Sequence, residues 1–164
     1  MKMNYYNSIA KGYDELHKEE QLNKLRIITK NLKIKKSDFL LDVGCGTAFS
    51  LEHFNCHKVG IDPAMGLLKQ NKSRHNLIHA KAENLPFKDK SFDTVISITA
   101  IHNFDSVNKA LKEIKRVVKN EIIITILKKS KKLNTIEKKV KEQFRVKKTI
   151  KEKRDTILFL GMAG

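Results

Sequence analysis

Short apolar runs alternate with segments of helical periodicity along most of this chain. An apolar stripe with spacings of three and four residues predicts a first helix through Leu22, Leu25, Ile28 and Leu32. Strand-like runs follow at residues 39–43, 59–61, 77–80, 92–98 and 122–127. This alternation is typical of βαβ units, so we expect a mostly parallel sheet.

The clearest helical pattern begins at Asp105 and continues through Val107, Ala110, Leu111, Ile114, Val117 and Val118. Residues 122–127 are apolar on both faces, which predicts a strand in the middle of a covered sheet. A last helix near 133–140 precedes two strand-like runs, 144–150 and 156–160, joined by an exposed hairpin turn at 151–154. The expected fold is α/β, with seven strands and an antiparallel C-terminal hairpin.

Composition restricts the functional classes. A length of 164 residues with 40% hydrophobic content predicts one globular domain, and no apolar run approaches the roughly 18 residues of a membrane span. The first residues lack the apolar core of a signal peptide, so we expect a cytoplasmic protein without a membrane partner. Cys45 and Cys56 are not in Cys-x-x-Cys spacing and the six histidines are scattered, which predicts reduced thiols and no metal site.

Positive charge is concentrated in the last third of the chain. Residues 1–107 carry 16 Lys and Arg against 12 Asp and Glu, whereas residues 108–164 carry 18 against 6. Such a surface attracts phosphate backbones, which favours a nucleic-acid partner. The alternative is an AT-rich coding bias, because Lys far outnumbers Arg.

A glycine-bearing turn after the first strand carries the candidate chemistry. Gly44 and Gly46 allow a tight turn and a close approach of backbone to ligand. Asp42, two residues earlier, would repel a pyrophosphate and suits an ammonium or sulfonium group instead. Asp62, after the second strand, is placed to accept the hydroxyls of a ribose, or to cap a helix with Pro63 at its first position.

Five motifs, in order, resemble those of the class I S-adenosylmethionine-dependent methyltransferases, in the branch of the ubiquinone/menaquinone-biosynthesis and several tRNA and rRNA methyltransferases. They are Tyr6–Asp14, Leu41–Thr47, Val59–Met65, Ala82–Phe87 with Ser91–Asp93, and Leu111–Val118. The resemblance implies a Rossmann-like three-layer sandwich. It also implies one domain, divided into a helical lid and first helix (1–36), a cofactor-binding core (37–127) and a basic helix and hairpin (128–164).

The resemblance further implies S-adenosylmethionine as cofactor and a role for each matched residue. Asp42, Gly44 and Gly46 would shape the methionine end, with Tyr13 closing over it. The remaining cofactor contacts would be Asp62 at the ribose, Met65, Ala82 and Glu83 around the adenine, and Thr99. Ordinary packing is the alternative for Tyr13 and Met65.

The chain departs from the family pattern at three places. Lys81 stands where an acid commonly contacts the adenine amine, and Glu83 is a candidate substitute. Ala48 replaces a common third glycine, and Lys119-Asn120-Glu121 replaces a Pro-Gly-Gly turn.

The loop after the fourth strand is the natural position for groups that assist methyl transfer. His102 is the candidate base and Asn103 a candidate for orienting a ring nitrogen or hydroxyl, although a structural hydrogen bond is an equally simple role for His102. Residues 96–104 resemble enzymes that modify the tRNA wobble uridine, and residues 60–65 resemble small-subunit rRNA guanine methyltransferases. Both groups commonly depend on a small zinc-binding activator, so such a subunit is an expected partner.

RNA is the favoured substrate because little sequence is available to cover the active site and the C-terminal third is basic. A small molecule or quinone-type metabolite is the first alternative. A non-catalytic module that binds RNA or a partner is the second. A nicotinamide oxidoreductase is disfavoured by Asp42.

Overall fold

A computed structural model of the chain describes residues 18–164, and the predicted lid residue Tyr13 lies outside them. Helix α1 runs from residue 18 to residue 31 within this part. The strands are β1 (Phe39–Val43), β2 (His57–Asp62), β3 (Asn76–His79), β4 (Phe92–Ser97), β5 (Val118–Leu127), β6 (Phe144–Lys151) and β7 (Asp155–Met162). The other helices are α2 (Met65–Leu68), α3 (Val107–Val117) and α4 (Leu133–Gln143), with 3₁₀ turns at Phe49–His53 and Ile101–Asn103.

The strands form one seven-stranded sheet in the order β3-β2-β1-β4-β5-β7-β6. Strands β1 to β5 are parallel, and β7 runs antiparallel between β5 and β6. The predicted mostly parallel sheet with an antiparallel C-terminal hairpin is therefore confirmed.

Apolar side chains are buried on both faces of the sheet. On one face, Leu25 and Ile28 of α1 pack against side chains of β1, β4 and β5. On the other face, α3 and α4 pack against the alternate positions of the same strands, with Leu111 and Ile136 fully or almost fully buried. Helices on both faces make the predicted three-layer sandwich.

Three sequence predictions about boundaries were wrong. Helix α3 is capped by Ser106, whose Oγ accepts the N–H of Lys109, and not by Asp105. Strand β5 begins at the buried Val118, four residues before the apolar run, and the polar residues 119–121 between them hid this start in the sequence. Pro63 precedes the N-cap of α2, Ala64, and is not the first helical residue.

Among residues 18–164, none of the helices has the length and apolar character needed to cross a bilayer.

Candidate active site

The site lies at the carboxyl ends of β1 and β4, where the strand order reverses. Strand β1 pairs with β2 on one side and with β4 on the other, so the loops after β1 and β4 leave the sheet in different directions. Ligands of open α/β sheets bind in the crevice that such a reversal creates. At this crevice the turn after β1 contacts the end of β2 through Gly46 and Asp62, and the loop after β4 through Gly44 and Ala100.

The turn after β1 requires glycine for geometric reasons. Gly44 and Gly46 have φ angles of +82° and +58°, in the left-handed region that side chains disfavour. A Cβ at Gly44 would lie 2.6 Å from the Cβ of Ala100, so the loop after β4 closes directly over this turn. Ala48 has a φ of +65° and its methyl group is buried, which explains why glycine is an acceptable alternative at this position.

Asp62 connects the loops that follow β1 and β2. Its Oδ2 accepts the N–H of Gly46 at 2.9 Å and its Oδ1 accepts the N–H of Ala64 at 2.7 Å. Burial raises the pKa of this carboxyl, and the two N–H donors oppose that rise. Each carboxylate oxygen keeps a second lone pair, so the cap-like bonds leave acceptor capacity for two hydroxyls.

Asp42 is a buried carboxylate with an unused acceptor. Ser50 Oγ donates to its Oδ2, and its Oδ1 has no hydrogen-bond partner within residues 18–164. Burial raises its pKa from 3.8 to about 7, the bond from Ser50 lowers it, and the charge of Asp62 raises it. A buried, unpartnered carboxylate oxygen is stabilised by a cation, so this donor set fits a ligand bearing an ammonium or sulfonium group.

A buried polar network holds the start of the loop after β4. Thr99 Oγ1 accepts from Lys24 Nζ at 2.6 Å and donates to Asp155 Oδ2 at 2.7 Å, and its N–H donates to Thr125 Oγ1. Lys24 and Asp155 form an ion pair at 3.1 Å with side chains 3% and 0% exposed. Thr99 is held at a φ of +51°, which is strained for a β-branched residue. Sequence analysis missed Lys24 and Asp155. The hydroxyl of Thr99 already has these partners. A contact between Thr99 and a cofactor stays a prediction.

The two candidate catalytic residues lie in the 3₁₀ turn that follows Thr99. His102 and Asn103 are both half-buried. The N–H of Asn103 donates to the carbonyl of Ala100 at 2.9 Å, and the carbonyl of His102 accepts from Lys132 Nζ at 3.4 Å. Ala100 and Phe104, on either side of this turn, lie beside Gly44 of the β1 turn. The catalytic roles of His102 and Asn103 stay predictions.

On the predicted adenine side, the structure separates exposed from buried positions. Met65 is 38% exposed, so the core alternative does not apply to it, whereas Ala82 is buried. Glu83 Oε1 accepts the N–H of Ser106 at 3.0 Å and thereby ties this loop to the start of α3. Lys81 forms an exposed ion pair with Asp105. Contacts of Met65, Ala82 and Glu83 with a cofactor remain predictions.

Arg116, which sequence analysis also missed, holds the next part of the same loop. Its guanidinium donates to the carbonyls of Leu85 and Phe87 at 3.0 and 2.7 Å and pairs with Asp89 and Glu113. Glu113 Oε2 accepts the N–H of Leu85 at 2.7 Å, and the hydrogen bond from Arg116 lowers the pKa of Glu113. The loop between β3 and β4 is therefore held by both ends of helix α3: by Ser106 at its N-cap and by Glu113 and Arg116 near its C-terminus. In the sequence, the only local indication of this role is that Arg116 follows Glu113 by three residues on the predicted helix.

Within the described part of the chain, no group of three or more His, Cys, Asp or Glu side chains is placed to hold a metal ion.

Known proteins are similar to this chain in sequence and in fold. Residues 41–126, more than half of the chain, match the family described as a methyltransferase domain. An uncharacterised protein of Methanocaldococcus jannaschii is 39% identical over 122 residues, which cover 71% of this chain and 47% of that protein. This chain thus spans about half the length of that relative.

Two named relatives have different substrates in their names. A demethylmenaquinone methyltransferase of Staphylococcus saprophyticus is 31% identical, with 76% of this chain and 60% of that protein covered. A probable tRNA methyltransferase 9B of Bos taurus is 32% identical over 87 residues, which are 52% of this chain and 19% of that protein.

Solved structures share the fold over almost the whole chain. A SAM-dependent methyltransferase from Aquifex aeolicus superposes with a TM-score of 0.81 at 18% identity, covering 96% of this chain and 98% of that one. A Haloferax volcanii methyltransferase in complex with the Trm112 methyltransferase activator superposes with a TM-score of 0.80 at 14% identity, covering 96% and 97%. At these identities the likeness concerns the fold.

Proposed function

This chain belongs to the class I S-adenosylmethionine-dependent methyltransferases, and we propose that it transfers the methyl group of that cofactor to RNA. The observation that carries the proposal is the carboxyl edge of the sheet, which has the buried Asp42 and Asp62 on one side and, beyond β5, seven Lys and Arg side chains at 128–132 and 151–154. The carboxylates suit the cofactor, and the basic residues suit a polyanionic substrate.

On the cofactor side, each residue has a task that its geometry permits. The unpartnered Oδ1 of Asp42 would bind the ammonium or sulfonium end, and the free lone pairs of Asp62 would accept the ribose hydroxyls. Gly44 and Gly46 would let the backbone approach the ligand. When bound, S-adenosylmethionine supplies a methyl group on a positively charged sulfur, which is the electrophile of the reaction.

On the acceptor side, the proposed catalytic residues belong to the turn at 101–103, whose flanking residues Ala100 and Phe104 lie beside Gly44. His102 is the proposed base that removes a proton from the attacking atom, and Asn103 is the proposed hydrogen-bonding group that orients the base or sugar being methylated. The buried network around Thr99 fixes where this turn begins. Positioning of the acceptor then supplies most of the protein's share of the rate enhancement.

RNA is favoured over smaller acceptors because the described chain contains little to cover the crevice. Only the connection at 128–132 and helix α4 lie between β5 and the C-terminal hairpin. An open crevice suits an acceptor presented by a macromolecule, and residues 108–164 carry 18 Lys and Arg against 6 Asp and Glu.

The test has two stages. The first is calorimetric titration of the purified chain with S-adenosylmethionine, beside Asp62→Ala and the control Asp38→Ala, whose carboxylate caps a turn at the opposite end of β1. We expect binding by the wild type and the control, and its loss in Asp62→Ala. Thermal unfolding shows whether Asp62→Ala remains folded, since it also loses two bonds to backbone N–H groups.

The second stage is transfer of tritium from labelled S-adenosylmethionine to total RNA. Incorporation that ribonuclease removes supports the proposal. Cofactor binding with no RNA labelling would contradict it. Absence of any turnover, with RNA binding that ignores the cofactor, would instead identify a non-catalytic module.

A quinone-type metabolite is the second candidate acceptor, and the similarity to a demethylmenaquinone methyltransferase favours it. This candidate predicts turnover on a demethylated quinone without RNA. It also predicts that neutralising C-terminal lysines leaves the rate unchanged.

We also propose a small zinc-binding activator as a partner. The proposal is supported by the likeness in fold to a methyltransferase found in complex with the Trm112 methyltransferase activator. Within residues 18–164, strand β3 is an edge strand whose Ile78 is 36% exposed, and such an edge suits addition of a strand from another chain. A purified chain that is monomeric and fully active alone would refute this. The cytoplasm is our proposed compartment, since Cys45 and Cys56 are free thiols.

A further inference from the structure

Two segments distant in sequence form one basic surface at the carboxyl end of β5. Residues 128–132 follow β5 directly, and residues 151–154 form the turn between β6 and β7. Leu127 pairs with Asp155 in the sheet, and the N–H of Lys128 donates to the carbonyl of Arg154 at 2.8 Å. We call these two segments together the basic rim.

The basic rim is almost free of negative charge. It carries seven Lys and Arg side chains and one acid, Glu152. The Glu152 carboxylate is occupied by the backbone N–H groups of residues 154 and 155. Of the basic groups, Arg154 is paired with Glu20. Five exposed lysines are in no ion pair within residues 18–164: Lys129, Lys131, Lys132, Lys151 and Lys153.

The basic rim borders the acceptor side of the crevice. Lys132 Nζ reaches the carbonyl of His102 at 3.4 Å, so the rim touches the turn that holds the candidate catalytic residues. Strand β4 is separated from β6 by three strand spacings, which is about 14 Å. The carboxyl edge of the sheet is thus divided, with Asp42 and Asp62 on the cofactor side and lysines on the other.

A lipid surface fits the basic rim less well than RNA does. Proteins that lie on membranes add large apolar side chains to their basic residues. The exposed large hydrophobic residues of the described chain are Phe39, Met65 and Ile78, and none of them is in the basic rim. A lysine-rich surface without apolar side chains suits the evenly spaced phosphates of a polynucleotide.

We propose that the basic rim is the surface on which the RNA substrate docks, with its phosphates on the lysines of 128–132 and 151–154 and the acceptor nucleotide directed at the 101–103 turn. The inference rests on the proposed RNA methyltransferase function. To that function it adds the place where the RNA binds, because a second group of basic residues lies at the opposite end of the sheet and could have bound it instead. That group, with Lys33, Lys35 and Arg145, lines a cleft of about 530 Å³ at the amino ends of the strands.

The opposite group supplies a matched control. The rim variant replaces four lysines with glutamine, at Lys129, Lys131, Lys151 and Lys153. The control variant removes the charges of four basic side chains at the opposite end of the sheet, those of Lys33, Lys35, Lys36 and Arg145. All eight side chains are exposed, so both variants are expected to fold, and their net charges are equal.

Binding of unfractionated tRNA is measured by fluorescence anisotropy between 50 and 300 mM KCl, together with tritium transfer to total RNA. In the rim variant we expect binding that is at least about tenfold weaker. We also expect a salt slope smaller by about 3 to 4, because each of the four lost phosphate contacts removes about 0.7 to 0.9 from the slope. The control variant is expected to match the wild type. Both variants should keep the wild-type affinity for S-adenosylmethionine.

The outcomes separate the two proposals. Wild-type chain that neither binds nor methylates RNA refutes the proposed function and the rim with it. RNA methylation that is equal in the wild type and the rim variant, or that falls equally in both variants, refutes the rim alone. Binding to phosphatidylserine vesicles that depends on the rim, with unchanged RNA binding, would assign the surface to a membrane and also refutes the inference.

Discussion

Replacing Asp42 with asparagine removes one buried charge while nearly preserving the shape of the side chain. Burial raises the pKa of Asp42 from 3.8 to about 7, against the bond from Ser50 and with the charge of Asp62. Near neutral pH the wild-type site therefore contains a carboxyl group that is only partly ionised. The variant has no such titration, so every pH effect due to Asp42 should vanish in it.

The effect on folding follows from the direction of this shift. Because the folded-state pKa is higher than the unfolded one, the folded state holds more protons between pH 4 and 7, and stability falls as pH rises through that range. One pKa unit corresponds to about 1.4 kcal/mol. Between pH 5 and 8 the wild type should therefore lose about 3 kcal/mol of unfolding free energy through Asp42, a loss that the asparagine variant avoids.

Cofactor affinity should change in the opposite direction. A cationic ligand is attracted to the ionised carboxylate, whose fraction rises from about a tenth at pH 6 to about three quarters at pH 7.5. Affinity for S-adenosylmethionine should rise about eightfold over this range in the wild type. The range ends at pH 7.5 because an α-amino group begins to lose its proton above it.

Urea unfolding followed by circular dichroism, without ligand, gives the first quantity, and calorimetric titration gives the second. Ser50→Ala is the control that keeps the carboxyl and removes its hydrogen-bond donor, so the midpoint of the binding curve should move to higher pH. Equal pH profiles for the wild type and Asp42→Asn, in both assays, would refute the assignment of a neutral-range titration to Asp42.

Three further substitutions probe other parts of the site. Gly44→Ala places a methyl group against Ala100 at a φ of +82°, so we expect a loss of more than about 2 kcal/mol and no cofactor binding, by urea unfolding and calorimetry. Lys24→Met leaves the carboxylate of Asp155 buried without its partner and should cost about 3 to 5 kcal/mol, most of which the double variant with Asp155→Leu should restore. Arg116→Lys cannot reproduce the guanidinium contacts and should cost about 2 kcal/mol, with the melting temperature as measurement.

Matched controls make these results interpretable. Gly164→Ala adds a methyl group in open space, and Lys33→Met removes an exposed lysine, so both should be neutral. A Gly44→Ala variant that binds cofactor normally would contradict the role of the glycine turn. If Lys24→Met unfolds like Lys33→Met, the buried ion pair does not stabilise the fold.

Sequence patterns predicted the parts of the fold that have strong periodicity. Strand β5 is buried on both faces and appears as an apolar run, and α3 has an uninterrupted apolar stripe. The predicted start of α3 was wrong because Asp105 and Ser106 are both residue types that cap helices well. Only the structure shows that the side chain of Asp105 pairs with Lys81 instead. The start of β5 was wrong because exposed residues extend the strand beyond its apolar part.

The convergence of the glycine turn and Asp62 was predictable because each lies within a short motif at the end of a strand, and their contacts with a cofactor stay predictions. The Lys24 and Asp155 pair was not predictable, since 131 residues separate its members and no local pattern joins them. One signal was available: Lys24 precedes Ile28 by one helical turn and so lies on the apolar face of α1. A lysine at such a position needs a buried partner, but the sequence does not identify it.

The reversed direction of β7 has a consequence for how this domain diversifies. Because β7 runs antiparallel to β5, the turn at 151–154 falls at the same end of the sheet as the loop after β4. Its length and composition can change without altering the register between β5 and β7 or any strand that carries Asp42 and Asp62. On the proposed role of the basic rim, substitutions in this turn would change what the domain recognises and leave the strands of the cofactor half unaltered.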